Sequence, residues 1–196
     1  SMVATILAGR ERTAGLLLLS GAGSCLQDIQ LYQNSLMSKA AKNVKSLRGI
    51  IMRLQTSQKR ADAGLIKMYD RCAYTVENSI TVGKTRINAK WIREHGAYSS
   101  DDYVKMLKEY EEPVLAITGT ADVVMNYKFH DNIANIPNIE IYTPKDVNYL
   151  LREIDDDDDN SIFNTQEQYS RLREGPIHYR TQNTIKEWLK KNYFPR

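Results

Sequence analysis

The sequence predicts an α/β fold, a mostly parallel sheet with flanking helices, and three observations predict it. Glu112-Pro113-Val114-Leu115-Ala116-Ile117-Thr118-Gly119-Thr120-Ala121-Asp122 reads as a buried strand running into a glycine turn that delivers a carboxylate at its C-terminal edge. Gly15 to Gly23 reads as a second strand with a similar turn, Ser20-Gly21-Ala22-Gly23. From Glu112 onward strands and helices alternate, which argues for a parallel sheet covered by helices.

Taken in order, Met2 to Gly23 reads as a helix followed by a strand. Cys25 to about Ser100 shows no strand-like alternation, and helical spacing dominates. Leu26, Ile29, Leu36 and Met37 recur at helical intervals, as do Val44, Leu47, Ile51 and Leu54. Asp62–Tyr74 and Ile87–His95 add two more helices. Ser99-Ser100-Asp101-Asp102 is a capping signal, and the helix it opens runs through Leu107. Pro113 opens the strand Val114–Thr118, where a missing N–H is tolerated. A helix over Tyr127–Ile133 follows, then a strand Ile139–Tyr142 bounded by Pro137 and Pro144. The last helix, Thr181–Asn192, sets Ile185, Trp188 and Leu189 on one face.

Composition narrows the function classes. The chain has 196 residues, enough for one substantial core. Its 27 basic and 24 acidic residues leave a net charge of +3, too mild for a nucleic-acid partner, and no basic stripe appears. The longest apolar run, Ala14 to Ser20, is far short of a membrane span. Cys25 and Cys72 fit no metal or redox spacing and read as free thiols of a reducing, cytoplasmic compartment. No cofactor and no metal are expected. Asp155 to Asp159 lacks the spaced ligands of a calcium loop and reads as a solvated run of like charges. Gly21-Ala22-Gly23 lacks the Lys and Ser/Thr of a phosphate-binding loop.

The strand ending at Asp122, the segment Leu16-Leu17-Leu18-Leu19-Ser20-Gly21-Ala22-Gly23 and the segment Asp146-Val147-Asn148-Tyr149-Leu150-Leu151-Arg152-Glu153 together resemble the α/β-hydrolase superfamily of esterase-like and aminopeptidase-like enzymes. The resemblance implies the C-terminal part of that fold: residues 1–23 a core helix and strand, residues 24–98 a helical cap or lid, residues 99–196 the C-terminal core. It implies a serine hydrolase of acyl or ester substrates. Asp122 then stands at the acid position of the triad, and Tyr149 stands where relatives carry the histidine.

Two departures matter. No G-x-S-x-G elbow, the strained turn that exposes the nucleophile, occurs in these residues. Ser1 to Ala8 resembles the helix just after that elbow, so the resemblance implies a chain shortened at its N-terminal side. The second departure is Tyr149, because a phenol with a reference pKa of about 10 is not a general base near neutrality. An inactive chain is therefore expected, and the alternative is a non-catalytic protein that binds a ligand or partner. His95, His130 and His178 do not follow the second strand at the spacing a replacement base needs. By spacing alone Asp122 reads first as a turn cap, and it is the resemblance that favours the acid position. A homodimer through an exposed sheet edge is expected, with a small acyl or ester ligand as the other partner.

Overall fold

The computed structural model describes residues 1–43, 57–155 and 160–194. The helical spacing at Val44, Leu47, Ile51 and Leu54 lies outside these residues, as does all of the aspartate run but Asp155. The chain forms two compact units. One comprises residues 1–24 and 101–196, the other residues 25–100.

The first unit is α/β. Its elements are α1 (Met2–Ala8), β1 (Leu16–Leu19), α5 (Ser100–Glu109, Ser100 itself belonging to the other unit), β4 (Val114–Ile117), a 3-10 helix (Tyr127–Asn132), β5 (Ile139–Tyr142), α6 (Thr165–Leu172) and α7 (Tyr179–Tyr193). Three strands form one parallel sheet in the order β1-β4-β5, with Leu16 beside Val114 and Val114 beside Ile139. Every residue of β4 is buried because it is the central strand and is covered on both faces.

Strand alternation sends these side chains to two cores. Leu16, Leu18, Val114, Ala116 and Ile139 pack with Leu107 of α5 and with Ala4 and Ala8 of α1. Leu115 and Ile117 point the other way, against Trp188 and Ile185 of α7. Each large apolar side chain so buried contributes about 1.5–3 kcal/mol. Leu17 and Leu19 share the parity of Leu115 and Ile117 but lie at the sheet edge, and they stay 37% and 38% exposed.

The second unit holds α2 (Leu26–Asn43), α3 (Gln58–Tyr74), β2 (Ile80–Val82), β3 (Thr85–Ile87) and α4 (Ala89–His95). Tyr69, Cys72, Ala89 and Ile92 form its core, with Leu26, Met68, Ile80 and Ile87 packed against them. Its two ends are tied together. The Ser100 hydroxyl accepts from the Cys25 N–H at 2.8 Å and donates to the Asp28 carboxylate. Cys25 and Cys72 are both buried free thiols.

Three expectations are corrected here. The second unit is not all helical, because β2 and β3 form an antiparallel hairpin about Gly83, which takes φ +60°. Three-residue strands are too short to show a period of two. Ile87 belongs to this hairpin, and helix α4 begins only after Asn88, whose side chain accepts from the Trp91 N–H at 2.9 Å. The helix after Asp122 is 3-10, capped at its start by Asn126. Helix α6 was not expected at all; it follows the aspartate run and buries only Gln168.

Candidate functional site

All three parallel strands end at one edge, and their C-terminal loops meet there. In open α/β sheets this edge is where functional groups collect. The loop after β4 returns to the loop after β5 through backbone bonds from Thr120 N–H to the Pro144 carbonyl, 2.9 Å, and from Ala121 N–H to the Val147 carbonyl, 3.1 Å. Gly119 is essential to that approach, since a Cβ there would run into the Val147 carbonyl.

Asp122 is buried, and its Oδ1 accepts from the N–H groups of Val124 and Met125, each at 2.8 Å. The cap reading and the acid reading thus describe one geometry: a carboxylate whose orientation is set by the turn it caps. Burial pushes its pKa up from 3.8 to about 6, partly offset by the two N–H donors and by the Ser20 hydroxyl.

Tyr149 sits in a small looped hairpin. Its base is the bridge of Val147 with Glu153, and it is closed by the Asn148 N–H on the Arg152 carbonyl at 2.9 Å. Asn148 is the pivot. It is buried, its Oδ1 accepts from the Leu150 and Arg152 N–H groups, and its Nδ2 donates to Gln168 Oε1 at 3.1 Å. Gln168 passes the chain to Asn160 Oδ1 at 3.5 Å, and Asn160 Nδ2 donates to the Ala121 carbonyl at 3.1 Å. A run of side-chain amides thereby clamps the Tyr149 loop to the residue before Asp122. Tyr149 is 40% exposed, and its ring stacks on that of Tyr169, centroids 6.2 Å apart. Burial raises the Tyr169 phenol above its ordinary pKa, and the negative charge of Asp122 adds to the rise.

Ser20 completes the cluster. It ends β1 with φ +49°, a left-handed backbone uncommon for a residue other than glycine. Its hydroxyl donates to the Tyr149 carbonyl at 3.0 Å, and Ser20 is a small influence lowering the pKa of the Asp122 carboxyl. The structure thus brings Asp122 and the Tyr149 loop together at one strand edge. Ser20, Asn148, Gln168 and Tyr169 were missed by sequence reasoning. The Ser-Gly turn after a strand was the one available signal for Ser20; Gln168 and Tyr169 sit on the unforeseen helix α6.

The histidines take other places. His130 is buried behind the strand ends, with Nε2 3.0 Å from Thr118 Oγ1 and Nδ1 3.4 Å from Thr143 Oγ1. Thr118 Oγ1 also accepts from the Gly21 N–H at 3.2 Å, so this network joins the ends of all three strands. Burial lowers the His130 pKa to about 4. His178 precedes α7 and bonds Thr181 Oγ1 at 3.0 Å. His95, in the second unit, stacks on Trp91. Among the described residues no cluster of three or more metal-ligating side chains occurs, and no helix is long and apolar enough to cross a membrane.

Fold and site define an α/β protein with a parallel sheet and a polar cluster at the carboxyl ends of its strands. No family model and no curated protein matches the sequence. Among solved structures the chain is similar to a protein described as the non-heme bromoperoxidase BpoC of Mycobacterium tuberculosis H37Rv, with 13% identity and a TM-score of 0.39, over 88% of this chain and 61% of that one. It is also similar to the proline iminopeptidase of Mycobacterium smegmatis, with 14% identity and a TM-score of 0.37, over 88% and 59%. The chain therefore spans about three-fifths of the length of each.

Proposed function

We propose that this chain is the C-terminal part of an α/β-hydrolase in which Asp122 holds the place of the triad acid and Tyr149 the place of the base, and that it does not hydrolyse esters by itself. One observation carries the reading. The Ser20 hydroxyl donates to the Tyr149 carbonyl, and Ser20 also lowers the pKa of the Asp122 carboxyl, so the acid and base positions are both within reach of the end of β1 at one edge of a parallel sheet. In a serine triad the acid orients an imidazole and stabilises its charged form. The two N–H donors on Asp122 already supply the orientation. A phenol at position 149 does not take up a serine proton near neutrality. The lid role of residues 24–98, a small acyl or ester ligand and a homodimer through the open edge of β1 belong to the same proposal. The alternative of a purely ligand-binding protein is favoured by the Tyr149–Tyr169 stack, which occupies the base position with an aromatic surface.

A fluorophosphonate probe and p-nitrophenyl acetate should find no activity in the chain; labelling that disappears in Asp122→Asn would overturn the inactivity. The site assignment is tested separately with Tyr149→His. Its new imidazole should titrate above the ordinary histidine range through the Asp122 carboxylate, and return to that range in Tyr149→His with Asp122→Asn. An imidazole indifferent to Asp122 would remove the assignment.

A further inference from the structure

The second open edge of the sheet, that of β5, borders a cleft of about 440 Å³. Ile139, Ile141 and Thr143, alternate residues on one face of the strand, line one side of it. Tyr127, His130 and Asp131 line the other from the 3-10 helix. The N–H groups of Val114 and Thr118 donate to the Asn138 and Tyr142 carbonyls at 2.9 and 3.3 Å. That pattern turns the even-numbered residues of β5 toward β4. It leaves the backbone N–H and C=O of Ile141, the C=O of Ile139 and the N–H of Thr143 facing outward. The Ile139 N–H is already held by the Ile136 carbonyl at 3.1 Å. No other described strand pairs with this edge.

The side chains beside that row are specific in character. Ile141 is 36% exposed, while Ala116, its neighbour in register, is fully buried. Asp131 is exposed at the cleft and makes no ion pair among the described residues. His130 adds no positive charge near neutrality, since burial keeps it neutral and its ring nitrogens are engaged by Thr118 and Thr143. The cleft therefore offers a carboxylate, an aromatic residue and an aliphatic floor next to an unpaired strand edge.

We propose that this cleft takes an extended peptide segment carrying a lysine or arginine, which adds as a strand to the edge of β5 and sets its cation beside Asp131 with its methylene stem over Ile139 and Ile141. Main-chain bonds to Ile141 and Thr143 supply the pairing, and the unpaired carboxylate selects the sign of the side chain. An acidic peptide meets Asp131 with like charge. A small amine would use the carboxylate and leave the strand edge open. This site is separate from the Asp122–Tyr149 cluster and does not depend on its reading.

The test uses the fluorescein-labelled pentapeptide Thr-Val-Lys-Val-Thr, capped at its C-terminus as the amide, and the full 196-residue chain. Saturable fluorescence polarisation is expected, with the Ile141 and Thr143 amide resonances shifting at the same concentrations. Asp131→Asn, an exposed isosteric change, should weaken binding about fivefold, the order of one partly screened ion pair. Glutamate in place of the lysine should weaken it further. The proposal fails if the glutamate peptide or Asp131→Asn binds as well, if the two amides do not move at saturation, or if no binding appears at millimolar peptide. It also fails if n-butylamine binds as tightly as the peptide. Shifts of the Ile141 and Thr143 amides with protein concentration alone would give the edge to a second copy of the chain and overturn it equally.

Discussion

The Ser20 hydroxyl donates to the Tyr149 carbonyl across 3.0 Å, joining two positions 129 residues apart in the chain. The bond holds the loop after β5 against the end of β1, and the same hydroxyl lowers the pKa of Asp122. Ser20 holds a left-handed backbone to reach this place, so the local strain is offset by contacts distant in sequence.

Replacing this hydroxyl should move two readouts together. Ser20→Ala is expected to cost about 1 kcal/mol in urea unfolding, the usual net value of one such bond. It should also raise the Asp122 pKa further, followed by carboxyl carbon NMR. Ser20→Gly loses the same bond but accepts φ +49° without strain, so it should be the less destabilised of the two.

Asp122 and His130 should oppose one another in the pH dependence of stability. The Asp122 pKa rises from 3.8 to about 6 on folding, so the folded chain keeps a proton the unfolded chain has lost. Its contribution is present at low pH and disappears as pH rises from about 4 to about 6. The His130 pKa falls from 6.5 to about 4, so its contribution is present above the unfolded value and is lost as pH falls across nearly the same window. Each spans about 3 kcal/mol at most. Relative to wild type, Asp122→Asn should stabilise progressively more as pH rises through this window. His130→Gln should destabilise progressively more. Urea midpoints measured at half-unit steps between pH 4 and 7 would show it, and parallel curves for both variants would refute both assignments.

Gly119→Ala tests the closeness of the two loops that carry the site. The added methyl meets the Val147 carbonyl, which is backbone and cannot swing aside. A loss of about 3 kcal/mol is expected, at the upper end for overpacking. A thermal midpoint unchanged from wild type would mean that the loops are not held this tightly.

No other described strand pairs with the outer edge of β1, where Leu17 and Leu19 are part-exposed and, among the described residues, only the Leu19 carbonyl is taken, by the Ser1 hydroxyl at 2.9 Å; this surface suits self-association. Sedimentation velocity should show a dimer at micromolar concentration, and Leu17→Lys should shift it toward monomer. A single monomeric species across a hundredfold concentration range would exclude the dimer.

Much of the first unit was legible because its signals are local. β4 announces itself as Val114 to Ile117, four apolar residues between a proline and a glycine turn, and the structure buries all four. β5 alternates between two prolines, and α7 carries Ile185 and Trp188 on the face that reaches the core. The hairpin at Gly83 was hidden because its strands are three residues long and the flanking helices dominate any window that includes them. Helix α6 was hidden because it buries only Gln168, leaving no apolar stripe to read.

The sequence by itself determined the parallel α/β class, the positions of the main strands along the first unit, and the presence of a carboxylate at the end of β4. Each follows from apolar runs, turn residues and caps that act over a few positions. Tertiary structure decided which groups meet that carboxylate. Asn148, Gln168 and Asn160 join two loops through amide bonds, and Ser20 arrives from the first strand, because only a folded parallel sheet gathers the ends of distant strands at one edge. The displaced pKa values of Asp122 and His130 are likewise products of burial, which no local stretch of sequence carries.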